Sequence, residues 1–305
     1  MNYLGSRTYS YDLADRLTGT TGPGTAAPTS YSYDANGNQT GAGATTSAYD
    51  LADRLVSATV GATTETYSYS GDGLRRSAAT GPQAGKTVRY LIDRTLGQPS
   101  VAIERDGANK LLRRYVYGLD LLSQTTPTKG PFWYHHDGLG SVTDITSAVG
   151  TPLAWTEYTP FGAPRSSAST AQAPLNPFRF TGEYRDGTTG LYHLRARQYD
   201  PGTGRFLSTD PVSPGVGDPY VGAYVYVRNQ PTLGTDPSGT CWPLCFAAVG
   251  ALVGGAISTA AYAITNSENL TLEGAAGAFA GGAIAGAATA VAGPLGGSIA
   301  RSLRR

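Results

Sequence analysis

The stretch Gly190-Leu-Tyr-His-Leu-Arg-Ala-Arg-Gln-Tyr-Asp200-Pro-Gly-Thr-Gly-Arg-Phe-Leu-Ser-Thr-Asp210-Pro211 decides the fold. Aromatic and aliphatic residues alternate with polar ones in runs too short for a helix, and Asp-Pro steps and glycines interrupt those runs at close intervals. This pattern predicts a compact set of short antiparallel hairpins. It begins at Asn176 and closes with Thr235-Asp236-Pro237-Ser238-Gly239, after which the composition changes abruptly.

Upstream the chain repeats itself. Tyr9-Ser-Tyr-Asp12, Tyr31-Ser-Tyr-Asp34, Ala48-Tyr-Asp50 and Tyr67-Ser-Tyr-Ser70 place their second tyrosines at 11, 33, 49 and 69. A unit of about twenty residues holds two short strands and two turns, and it cannot bury both faces without stacking on its neighbours. Asn36-Gly37 is a strong hairpin signal, because both residues tolerate positive φ. Weaker units follow at Tyr90-Leu-Ile-Asp93 and Arg114-Tyr-Val-Tyr-Gly118, while the Gly-, Ala-, Ser- and Thr-rich residues 20–30, 41–47 and 163–173 read as surface loops.

Composition agrees with a β protein. The 305 residues include 20 Tyr, 41 Gly and 19 Pro against a single Met, and suffice for one large or two modest domains. A net charge of +1 with 15% charged residues excludes nucleic acid as an electrostatic partner. Cys241 and Cys245 are too few for a disulfide framework. No signal peptide follows Met1, and the start inside a repeat reads as a fragment of a larger protein.

The stretch Gly190–Pro211, with Tyr224-Val-Tyr-Val-Arg-Asn-Gln-Pro-Thr-Leu-Gly-Thr-Asp-Pro-Ser-Gly239, resembles the core element that closes Rhs and YD-repeat proteins of the bacterial polymorphic toxin type. The resemblance implies a mainly β fold in which an antiparallel YD-repeat sheet winds as part of a hollow shell, with a short α-helical C-terminal tail. Three segments are expected: degenerate YD repeats over 1–128, the Rhs core over 129–239, and a variable Gly/Ala-rich tail over 240–305 forming a helical hairpin.

By the same resemblance, Asp210 and Asp236 fall on two Asp-Pro motifs that form an internal aspartyl protease, with Arg205 as a nearby cation and a cut between Thr240 and Cys241. Two neighbouring carboxylates do not both ionise cheaply, so one retains a proton to polarise the scissile carbonyl while the other activates water. Two positions depart from the family pattern: Ser213 replaces the usual Gly and Thr240 the usual Leu. Asp-Pro as a plain turn opener remains the alternative reading. No phosphate loop, zinc spacing or nucleophile elbow is present, and no cofactor or metal is expected. His135, His136 and His193 read as structural.

The tail holds uncharged stretches over 245–264 and 275–293, a polar turn between them, small-residue spacings such as Gly250-x-x-x-Gly254, and Arg301, Arg304 and Arg305 at the end. These features suit two helices that pair closely in a membrane. The expected function is a secreted or cell-surface shell that delivers a C-terminal effector released by self-cleavage. Its expected partners are the rest of the shell, an immunity protein and, through 245–293, a membrane. The alternative is a non-cleaving surface adhesin that binds glycans through its tyrosines.

Overall fold

The computed structural model describes residues 6–22, 28–81, 86–95, 98–118, 120–212 and 222–240, with isolated positions beyond them. Sixteen strands form one antiparallel meander in chain order. They are β1 (Thr8–Tyr11), β2 (Leu17–Thr21), β3 (Thr29–Tyr33), β4 (Gln39–Ala42), β5 (Thr45–Tyr49), β6 (Leu55–Val60), β7 (Thr63–Tyr69) and β8 (Arg75–Thr80). The sheet continues through β9 (Thr87–Asp93), β10 (Ser100–Asp106), β11 (Leu111–Tyr117), β12 (Leu121–Thr125), β13 (Phe132–His136), β14 (Val142–Thr146), β15 (Pro152–Tyr158) and β16 (Pro164–Ser169). A second sheet of four short strands follows: β17 (Tyr184–Arg185), β18 (Tyr192–Leu194), β19 (Arg197–Asp200) and β20 (Arg205–Phe206). The mainly antiparallel β class is as the sequence implies.

An aspartate builds the turn in five places. Asp12, Asp34, Asp50, Asp106 and Asp137 each accept on Oδ1 the N–H groups two and four residues on, at 2.8–3.0 Å. The main chain closes the same loop, with the Asp N–H donating to the carbonyl four residues later. In every case the residue three after the aspartate has positive φ: Asp15, Gly37, Asp53, Asn109 and Gly140. Ser70, Ser147 and Thr159 head turns with the same main-chain bonds. The hairpin expected at Asn36-Gly37 joins β3 to β4, with a longer turn. Asp34 to Asn38 form a five-residue turn with positive φ at Gly37, because the Asp34 carboxylate outcompetes a two-residue closure.

The tyrosine before each turn has its own task. The strand register shifts at Tyr11, Tyr33, Tyr49, Tyr69, Tyr117 and Tyr158, and this bulge re-aims the ring. The phenol then donates to a main-chain carbonyl in the preceding unit: Tyr49 to Gln39 at 3.0 Å, Tyr69 to Leu55 at 2.7 Å, Tyr117 to Val101 at 3.0 Å and Tyr158 to Val142 at 2.7 Å. The tyrosine before a turn thus fastens that turn to the one before it.

Three expected loops contain strands. Residues 41–47 lie in the β4–β5 hairpin, residues 163–173 contain β16, and residues 20–30 include ends of β2 and β3. The ladder bonds are main-chain bonds, so small or polar side chains with paired neighbours suffice.

One face of the sheet is aromatic and buried. Tyr67, Tyr90, Tyr115, Phe132 and Tyr134 alternate with exposed neighbours along their strands and pack with Leu55, Leu121, Val142 and Ile145. Phe178 and Tyr184, from the segment around the small sheet, enter the same cluster edge-on. Their ring centroids lie 4.9 Å from Tyr115 and 5.4 Å from Tyr90, respectively. A further aromatic group, Phe180, Tyr192, Tyr199, Phe206 and Tyr226, fills the small sheet's own core.

The chain divides into two compact units, Met1–Tyr226 with Pro237–Thr240, and Val227–Asp236 with Cys241–Arg305. In the second, a 3-10 turn over Val227–Asn229 has positive φ at all three residues, and Asp236 is buried. Cys241, Cys245, all but isolated positions of both apolar stretches, the Gly-x-x-x-Gly spacings and the terminal arginines lie outside the described residues. Among those described, no helix is long and apolar enough to cross a membrane.

Candidate functional site

The segment Pro237–Thr240 is gripped by three consecutive residues of the small sheet and its turn. Arg195 Nη1 donates to the Pro237 carbonyl, the Ala196 N–H to Ser238 at 3.2 Å, and Arg197 Nε to Gly239. Each carbonyl from 237 to 239 thereby receives its own donor. Gly239 has φ +70°, and a Cβ there would stand 2.1 Å from the Leu194 carbonyl oxygen, so only glycine permits this approach. Thr240 is held from within, its N–H donating to Ser238 Oγ at 3.1 Å.

Arg197 links this grip to Asp210. Its Nη2 pairs with Asp210 Oδ2 at 2.8 Å, Nη1 donates to the Ala223 carbonyl at 3.2 Å, and its guanidinium lies 3.5 Å from the centroid of the Phe206 ring. Its side chain is 2% exposed, so these bonds act where water screens little. Asp210 Oδ1 accepts the Val212 N–H at 2.9 Å, as an Asp-Pro turn does. Arg205, expected beside this carboxylate, donates Nη2 to the carbonyl and to Oδ2 of Asp15 at 2.6 and 3.0 Å. It fastens β20 to the first repeat's turn, and the cation on Asp210 is Arg197. A buried arginine in Arg-Ala-Arg195–197 was not separable by sequence from its neighbours.

Asp236 belongs to the second unit, where its side chain is 2% exposed, and Cys241 lies outside the described residues. The histidines are engaged by protein groups. His135 Nε2 meets Thr146 Oγ1 at 3.0 Å, and His136 faces the Gly140 and Leu121 carbonyls at 3.0 and 2.7 Å. His193 Nδ1 accepts from Gln198 Nε2 at 2.9 Å. Burial, with Arg75 and Arg195 nearby, holds the His193 imidazole well below its usual pKa, so it is neutral with its proton on Nε2. Among the described residues no three His, Cys, Asp or Glu side chains gather as a metal site.

This architecture of tyrosine-fastened repeats leading into an aromatic core has known counterparts. The profile of the teneurin YD-shell family matches residues 66–221. The tRNA3(Ser)-specific nuclease WapA of Bacillus spizizenii is 31% identical over 239 residues, 77% of this chain and 8% of that protein. The chain belongs to the Rhs/YD-repeat shell family. Toxin protein Tse5 of Pseudomonas aeruginosa is another relative of this YD-repeat protein, 36% identical over 42% of the chain and 9% of its own length. The Photorhabdus luminescens Tc holotoxin pore shares the fold, with a TM-score of 0.54 at 22% identity over 77% of this chain and 13% of that one. The YD-repeat chain thus spans about a tenth of the length of the relatives it matches.

Proposed function

We propose that this chain forms shell wall and core of a polymorphic toxin, and that the segment after Gly239 is an effector which the core positions for release. The observation that carries the reading is the three-donor grip on the carbonyls of Pro237, Ser238 and Gly239, tied through Arg197 to Asp210. A turn needs no such clamp. A bond to be cut just downstream does, because fixing the backbone beside a carboxylate converts cleavage into an intramolecular reaction.

In this reading Asp210, ion-paired with Arg197, activates a water, and the buried Asp236 supplies the proton that polarises the Thr240 carbonyl. Attack on that carbonyl carbon breaks the C–N bond to Cys241 and leaves an amine on Cys241. The proton taken from water passes to the leaving nitrogen. One structure of similar fold, with a TM-score of 0.55 at 24% identity, is described as a TcdB2-TccC3 complex without its hypervariable C-terminal region, and this supports a break in kind after the core. The released residues carry no His and have Glu268 and Glu273 as their carboxylates, so membrane activity by the apolar stretches suits them better than hydrolysis.

Intact mass of the purified chain tests the proposal. The expected result is a fragment ending at Thr240, lost in Asp210→Asn and in Asp236→Asn, and reduced by about a hundredfold in rate in Arg197→Gln. A well-folded wild-type chain that stays whole would leave the scaffold alone.

A further inference from the structure

A cavity of about 260 Å³ lies between the sheet and the 175–188 segment, and its lining holds the carboxylates Glu65 and Asp186 together with the cations Lys86, Arg113, Arg179 and Arg185. Glu65, 6% exposed, and Asp186, 1% exposed, lie close enough to act on each other electrostatically. Asp186 Oδ2 is bound to Arg75 Nη1 at 2.8 Å, whereas Glu65 Oε2 has no hydrogen-bond partner among the described residues. Arg75 is itself caged by the rings of Tyr67, Tyr90 and Tyr184 at 5.2–5.3 Å. Two buried carboxylates therefore share one guanidinium. Burial first, and then the charge of Asp186, push the Glu65 carboxyl up to about 7 against the opposing pull of Arg75.

A second cavity of about 450 Å³ shares the lining residues Leu175, Asn176 and Arg179 with the first. Asn176 is 6% exposed and its Nδ2 has no partner, while its Oδ1 is used by the Phe178 N–H at 2.9 Å. Arg179 donates to Thr156 Oγ1 at 2.9 Å and has no carboxylate partner among the described residues. Here, among the described residues, the Asn176 amide is a buried donor without an acceptor, and Arg179 is a cation without a carboxylate.

We propose that this cavity binds a small ligand carrying an ammonium group for Glu65 and a carboxylate for Asn176 and Arg179, the chemistry of an amino acid. A buried acceptor without a donor and a buried donor without an acceptor each cost free energy, and one dipolar occupant relieves both. The first cavity is smaller than those that hold drug-sized molecules, which favours an amino-acid-sized group. That group comes either from a free amino acid or from neighbouring acidic and basic side chains of a polypeptide. The site does not depend on self-cleavage.

Isothermal titration of the full chain at pH 8 tests the proposal, with L-alanine, L-alaninamide, N-acetyl-L-alanine and a capped lysyl-glutamyl dipeptide as probes. L-Alanine or the capped dipeptide is expected to bind saturably, and whichever does identifies the source. The amide and the N-acetyl derivative, each lacking one charge, should bind at least about tenfold more weakly than L-alanine if the free amino acid is the ligand. Glu65→Gln and Arg179→Gln should each weaken the binding probe at least about tenfold. Failure of all four probes to bind folded wild-type protein overturns the site, as does binding of the single-charge probes at full strength or undiminished affinity in Glu65→Gln. The wild-type comparisons stand even where a variant does not fold.

Discussion

Asp50 shows what one repeat residue contributes. Its Oδ1 accepts the N–H groups of Ala52 and Arg54 at 2.9 and 3.0 Å, and Oδ2 accepts Arg54 Nε at 2.8 Å. Asp50→Ala should cost about 1–2 kcal/mol in denaturant unfolding, and Asp50→Asn, which keeps one acceptor, clearly less. These bonds lower the Asp50 pKa against the opposing effect of burial, so its contribution is present above the unfolded value and is lost as pH falls below 3.8. His193 and Glu65 give slopes of opposite sign. The His193 pKa is lowered in the folded chain, so the unfolded state binds more protons below about 6.5 and stability falls on acidification. The Glu65 pKa is raised, so between 4.5 and about 7 the folded state binds more protons and stability falls as pH rises. Denaturation midpoints across pH 4.5–7.5 should therefore lose the first slope in His193→Asn and the second in Glu65→Gln.

At the scale of elements, a turn, the tyrosine before it and the strands beside it act as one unit. Tyr69 reaches back to the Leu55 carbonyl at 2.7 Å, so Tyr69→Phe removes the fastening between successive turns and leaves the ring. The expected loss is about 0.5–1.5 kcal/mol, with amide exchange quickened around Leu55 as much as at residue 69. Exchange confined to residue 69 would mean that the phenol does not couple the units. The turns were visible in the sequence as tyrosine-aspartate steps, but their five-residue form was not. It depends on a carboxylate accepting from two main-chain donors and on a left-handed fourth residue that is Asp, Asn or Gly in different repeats.

At the scale of the molecule, the sheet is a meander whose end strands each have a single neighbour among the described residues. β1 is exposed at all four positions, whereas β7 and β8 are paired on both sides and carry the buried Glu65, Tyr67, Arg75 and Ala78. Hydrogen exchange should therefore be fastest in β1 and slowest in β7 and β8, a gradient along the sheet that a uniformly cooperative domain would not show. β16 is protected differently, since its Pro164 and its serines offer little apolar surface to a further strand.

The sequence by itself determined the β class, the repeat and the core element, because these rest on local chemistry: alternation sets strands, Asp, Asn and Gly set turns, and the wording of residues 176–239 is specific. The tertiary structure decided which cation meets which carboxylate. Arg195, Arg197 and Arg205 lie within eleven residues of one another, yet one goes to Glu183, one to Asp210 and one to Asp15. Asp186 finds Arg75 across 111 positions of chain. Such pairings depend on strand register and on left-handed residues such as Arg195, which rotate neighbouring side chains to different faces, and residue identity alone carries no record of that rotation.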